Sequence, residues 1–262
     1  MRIARFVVPS GQVMFGLVEG EPGTPADALT VAALTEFPWA SVSLTGDRWA
    51  LPDVRLLAPI FPTKIVGIGR NYAEHAAEMG GEAPAAPLMF LKPPTSVIGP
   101  ADAVRLPAES NQVEFEGELA VVIGPLGANQ VSAGDALATV LGYTVGNDVT
   151  ARDLQRADGQ WTRAKGYNSF CPLGPWIETV LDPTDLAIRT ELDGEVRQDS
   201  RTSAMIHDVA AVISYVSQVM TLLPGDIVLT GTPAGVGQMK VSQRVAVTVE
   251  GIGTLTNPVR SR

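Results

Sequence analysis

A row of carboxylates, one lysine and one His–Glu pair are the groups in this sequence whose types and spacing can do chemistry. Over 113–121 the chain reads VEFEGELAV, so Glu114, Glu116 and Glu118 alternate with Val113, Phe115, Gly117 and Leu119. In an extended chain alternate side chains share a face about 7 Å apart, which lines three carboxylates along one face and turns the apolar residues to the other. Such a row is either solvated or neutralised. A solvated strand face is the plainer reading, but the apolar AVVIG that follows favours a buried cluster, and buried charge has to be neutralised. Asp148, at the polar end of a second strand in VLGYTVGNDVT, can join Glu116 and Glu118. Three carboxylates without Cys or His form a hard-oxygen donor set that suits Mg²⁺ or Mn²⁺, admits Ca²⁺ and disfavours Zn²⁺.

Lys165 follows in WTRAKGYNSF, a stretch rich in polar and aromatic groups. Beside a metal its ammonium would stabilise a forming oxyanion; alone it would read as a surface lysine. His75 and Glu78 stand at i and i+3 in YAEHAAEMG, one face of a helical turn, and a carboxylate-oriented histidine can activate water. The Gly-rich GDIVLTGTPAGVG over 225–237 offers backbone N–H groups to an anion but lacks the GK[ST] of a phosphate loop. KIVGIGRNYAEH imitates a dinucleotide fingerprint, yet Tyr72 stands where a third small residue is needed, and PLMFLKPP follows where a ribose-binding acid should be. A nicotinamide dehydrogenase is therefore disfavoured.

The elements that must position these groups are mostly strands. The chain has 262 residues, 45% hydrophobic and 18% charged, with 26 Gly and 20 Pro, a composition that predicts a β-rich fold with many turns. RIARFVV and VMFGLVEG flank a Gly-containing turn, and residues 1–57 form a small N-terminal β domain ahead of a main domain over 58–262. Asp193-Gly194 predicts a type I′ hairpin in LAIRTELDGEVRQD. Helical spacing of Ile206, Val209, Ala210, Ile213, Val216 and Met220 predicts a helix over 203–221 with Ser203 as N-cap. His207 and the single Cys171 read as structural, the latter as a small buried hydrophobe.

A net charge of −9 with scattered Lys and Arg argues against a nucleic-acid partner. No apolar run approaches the ~20 residues of a membrane span, and the single cysteine fits a reducing cytoplasm.

Taken together and in order, GIGRNYAEH, PLMFLKPPTSVIGP, EFEGELAVVIG, GYTVGNDVTARDLQ, WTRAKGYNSFCPLGP and GDIVLTGTPAGVG resemble the fumarylacetoacetate hydrolase family from about residue 60 to 262. The resemblance implies a β-rich α+β fold with a mixed β-roll main domain, a homodimer, and Mg²⁺ or Mn²⁺ held by Glu116, Glu118 and Asp148. It matches Lys165 to an active-site lysine, His75 and Glu78 to a pair on a lid-like segment, and Arg152, Gln155 and Thr232 to substrate-contacting positions, with Arg70 beside the lid. Glu114 falls in a flanking position, either behind the metal ligands or at the surface. The substrate implied is a small 2-oxo or dicarboxylic acid reacting through an enolate. A 2-hydroxyhepta-2,4-diene-1,7-dioate isomerase or decarboxylase leads, followed by an acylpyruvate C–C hydrolase and an oxaloacetate decarboxylase. A non-catalytic metal-stabilised binding protein is the alternative of another class.

Overall fold

A computed structural model describes residues 1–21, 24–39 and 41–262. Among the described residues the strands form three sheets. The largest has twelve strands; its main path runs from Leu44–Ala50 through Thr30–Leu34, Val13–Glu19, Arg2–Val7, Cys171–Glu178, Val140–Asn147, Gly117–Ile123 and Ile227–Leu229 to Ile65–Gly69 and Leu88–Lys92. Arg2–Val7 pairs with Cys171–Glu178, so the N-terminal strands extend the same sheet as the strands that follow them. A five-stranded sheet centred on Ala187–Leu192 and Arg244–Val249 and a three-stranded sheet of Thr150–Ala151, Val113–Phe115 and Gly237–Gln238 complete this β-rich α+β architecture.

The predicted turns form for the predicted reasons. Asp193 and Gly194 take φ of 53° and 82° between Ala187–Leu192 and Glu195–Arg201, the positive pair that a tight hairpin needs. Gly11 at φ 88° turns the chain between the first two strands.

The long helix is shorter than its apolar spacing predicts. It spans Val209–Val219, and its N-cap is Asp208, whose Oδ1 accepts from Ala211 N at 2.8 Å, not Ser203. Asn71 explains the difference. Its carbonyl accepts from Ile206 N at 2.8 Å and its Oδ1 from His207 N at 2.9 Å, which holds 206–207 out of the helix while Thr202–Ala204 makes a separate 3-10 turn.

The carboxylate row also departs from one continuous strand. Val113–Phe115 belongs to the three-stranded sheet and Gly117–Ile123 to the large one, with Glu116 at the junction. The partner segment crosses at the same level: Val140–Asn147 is in the large sheet, Thr150–Ala151 in the small one, and Asp148 N donates to Glu116 O at 2.8 Å between them. Gly117 permits this crossing, because a Cβ there would lie 2.1 Å from Thr190 Oγ1 on the five-stranded sheet. Val113, Phe115 and Leu119 are buried in the main core, as their alternation predicts.

Candidate active site

Glu116, Glu118 and Asp148 meet at this seam. They are only 4%, 1% and 1% exposed, and each offers a carboxylate oxygen within 4.8 Å of the others. Glu114, also buried, is drawn into the cluster's surroundings and is not a surface residue. Lys165, at the end of the short helix Thr162–Lys165, is equally buried; its Nζ donates to Glu116 Oε2 at 2.8 Å and to Asp148 Oδ2 at 2.5 Å. Lys92 closes the other side, donating to Asp148 Oδ1 at 2.5 Å and to Val149 O at 3.2 Å. Arg152 binds Glu114 through Nε at 2.8 Å, Glu116 through Nη2, and Gln155 through Nη1 at 2.7 Å.

The charges do not balance. Four buried carboxylates face three buried cations, and Glu118 is the one without a cationic partner; its Oε2 accepts only from the backbone N–H of Gly231, at 2.7 Å. Burial, and then the neighbouring Asp148 and Glu116, push the Glu118 carboxyl well above its ordinary range. Burial acts the same way on Glu116, but Lys165, Arg152 and His75 outweigh it and hold that carboxyl well below the ordinary range. Lys165 is kept charged although burial opposes it, because Asp148 and Glu116 raise its affinity for the proton. An oxygen-only donor set with a surplus negative charge, buried and already clustered, fits a hard divalent cation.

The sequence-derived lid pair lies across from the cluster. On the helix Ala73–Glu78, His75 Nδ1 is 3.0 Å from Glu78 Oε2, and Glu78 Oε1 accepts from Gly235 N at 3.1 Å. The Gly-rich loop thus does bind carboxylates through its backbone, and they are the protein's own Glu78 and Glu118. With Nδ1 engaged by Glu78, Nε2 is the ring nitrogen of His75 left for other chemistry.

A cavity of about 280 Å³ opens between these parts. Of the ten residues singled out in the sequence, Arg70, His75, Glu78, Glu116, Glu118, Arg152, Gln155 and Thr232 line it, while Asp148 and Lys165 stand behind Glu116. Thr232 is already committed in part: its hydroxyl donates to Gly117 O at 2.9 Å and accepts from Gln198 Nε2 at 2.7 Å. A larger groove of about 890 Å³, near Trp176 and 248–254, contains none of these groups.

Several residues of the site escape sequence reasoning. Lys92 is the clearest, a buried lysine whose one signal in the sequence is a lone charge within the apolar MFLKPP. Phe90 and Trp161 form an aromatic wall with ring centres 5.3 Å apart, and Lys165 Nζ lies 4.8 Å from the Phe90 ring. The glycines of the false dinucleotide fingerprint make room for that wall. A Cβ at Gly67 would meet Phe90 at 2.3 Å, and one at Gly69 would meet Trp161 at 2.7 Å.

Comparison with known proteins identifies the family. Residues 64–260 match the profile described as fumarylacetoacetate (FAA) hydrolase C-terminal, and residues 1–59 match Rv2993c-like, N-terminal. Protein Rv2993c of Mycobacterium tuberculosis is 55% identical over 262 residues, covering 99% of this chain and 98% of its own length. The crystal structure of 2-hydroxyhepta-2,4-diene-1,7-dioate isomerase from Mycobacterium marinum superimposes with a TM-score of 0.92 at 52% identity, covering 100% of this chain and 99% of that one. Maleylpyruvate hydrolase from Sphingobium sp. SYK-6, crystallised with manganese(II) and pyruvate, gives a TM-score of 0.80 at 30% identity over 100% and 99% of the two chains. The chain belongs to the fumarylacetoacetate hydrolase family and is an enzyme of that family.

Proposed function

We propose that this enzyme depends on a divalent cation and acts on a 2-oxo acid or its 2-hydroxydienoic form, with isomerisation or decarboxylation of a 2-hydroxyhepta-2,4-diene-1,7-dioate-like substrate as the leading reaction. The observation that carries this reading is the buried triad of Glu116, Glu118 and Asp148, the first two on the wall of a small cavity, with Lys165 bonded to two of its members. These three residues would hold Mg²⁺ or Mn²⁺, which supplies a Lewis acid for the carboxylate and keto oxygens of a 2-oxo acid. Lys165, immobilised by Glu116 and Asp148, keeps a fixed positive charge beside the place where negative charge develops as a C–H or C–C bond breaks. Arg152 has used three of its five N–H groups on protein partners, so two remain to orient a substrate carboxylate. Gln155, Arg70 and Thr232 complete the wall that fixes its position.

His75 and Glu78 favour a second reading, hydrolysis of an acylpyruvate. A base at His75 Nε2, oriented through Nδ1 by Glu78, is what attack by water on a distal carbonyl needs, whereas decarboxylation does not require it. The manganese- and pyruvate-bound relative is named a maleylpyruvate hydrolase, which supports keeping this reading in the test.

The test is turnover of 2-hydroxyhepta-2,4-diene-1,7-dioate, an acylpyruvate and oxaloacetate with Mg²⁺, with Mn²⁺ and with EDTA. The control variant is Glu118→Gln. Glu116→Ala would take one of two carboxylate partners from both Lys165 and Arg152, whereas Glu118 has no cationic partner to leave behind. Cation-dependent loss of one substrate, absent in the variant, supports both site and reaction. Equal turnover in EDTA would sink the cation reading. Light scattering tests the homodimer that the family resemblance implies.

A further inference from the structure

We infer that Glu114 is a positioning residue that sets the cation affinity of the site by fixing Arg152 and, through it, the usable oxygen of Glu116. The inference rests on the reading of Glu116 as a cation ligand. Glu114 lies on Val113–Phe115, one strand residue ahead of the seam, and is 6% exposed. Both of its oxygens are engaged: Oε2 accepts from Arg152 Nε at 2.8 Å and Oε1 from Gln112 Nε2 at 2.6 Å. The backbone adds a third tie, from Arg152 N to Gln112 O at 2.7 Å.

Held this way, the guanidinium lies between two carboxylates and gives only Nη2 to Glu116, at Oε1. Glu116 Oε2 is then the oxygen left to meet Lys165 and to serve a cation. A buried guanidinium prefers a two-pronged grip on a carboxylate. With the charge at 114 removed, Glu116 is the carboxylate within its reach, and a two-pronged grip there would take up the second oxygen as well. Glu114 therefore keeps Oε2 of Glu116 clear of the guanidinium, with Lys165 as its partner. Gln112 carries the arrangement outward, since its Oε1 accepts from Arg156 Nη2 at the exposed rim of the cavity.

Calorimetric titration of Mn²⁺ into wild type, Glu118→Gln, Glu114→Gln and Gln112→Ala, with a thermal melt of each, tests this. Glu114→Gln is expected to bind Mn²⁺ about ten- to a hundredfold more weakly, the usual loss for a residue that orients a metal ligand, while melting as a folded protein. Gln112→Ala should shift affinity in the same direction by a smaller factor with an unchanged melt, a result that a purely structural role for Glu114 does not predict. Wild-type affinity in Glu114→Gln would overturn the inference while leaving the cation site standing. If Glu114→Gln does not fold, Gln112→Ala decides, and unchanged affinity there overturns it. A wild type that takes up no Mn²⁺ would remove the cation reading itself, and this inference with it.

Discussion

The ammonium of Lys165 stands 2.5 Å from Asp148 Oδ2, and both side chains are almost wholly excluded from solvent. Neither can be removed quietly, because deleting one partner leaves the other charge buried and short of a counter-ion. Lys165→Met is expected to cost about 3–5 kcal/mol of stability without added cation. Turnover should fall about 10²- to 10³-fold, with KM much less affected, since its charge matters most in the transition state. Thermal melts and steady-state kinetics check both, and a change confined to KM would refute the assigned role.

His75→Gln and Glu78→Gln separate the competing reactions. Both variants remove the 3.0 Å Nδ1 contact in its base-orienting form. Acylpyruvate hydrolysis should drop about 10²- to 10⁴-fold if His75 activates water. Oxaloacetate decarboxylation, which needs no activated water, should keep most of its rate. Parallel losses on both substrates would show that the pair does something other than activate water.

Cys171 gives a pH prediction away from the cavity. Burial pushes its thiol up to about 12; Lys92 opposes this, and Asp148 and Glu118 add to it. A group raised in the folded state favours folding while protonated, so its contribution is complete below the unfolded thiol value of about 8.5 and is lost as pH climbs towards 12. The alkaline fall in melting temperature should be shallower in Cys171→Ala than in wild type. Tyr143, also raised to about 12 by burial and Asp182, supplies a slope common to both. A thiol reagent at pH 8 should label Cys171 only after unfolding, and prompt labelling of the folded protein would contradict this reading.

Gly67→Ala should act through Phe90. The added Cβ would lie 2.3 Å from the ring, which has Trp161 against it and Lys165 Nζ 4.8 Å from its centre. Overpacking of this kind costs about 1–3 kcal/mol, and the displaced ring should lower kcat more than KM. Adding Phe90→Leu should recover the melting temperature but not kcat. A single variant with wild-type melt and kcat would show that the ring's seat is immaterial.

Glu116, Glu118, Asp148, Lys165, His75 and Glu78 stood out by residue type and spacing, whereas Arg70, Arg152, Gln155 and Thr232 came only with the family resemblance. Their convergence was legible only through the family resemblance, since Glu116 and Lys165 are 49 positions apart. Lys92 and Glu114 were missed or left open because a residue's burial depends on which sheets cross over it, and neither motif spells that out. The helix start failed for a related reason: Asn71, 136 residues away, captures His207 N and the preceding backbone. The glycines of KIVGIG misled because close approach of a phosphate and close approach of an aromatic ring ask the same thing of a backbone.

Glu116 and Asp148 each sit where a segment passes between the twelve-stranded sheet and the three-stranded one. The consequence is mechanical. An ion gripping both residues together with Glu118 would rivet two sheets at their hinge line, so the supply of that ion in the surrounding medium would govern the stiffness of the molecule there as well as its chemistry.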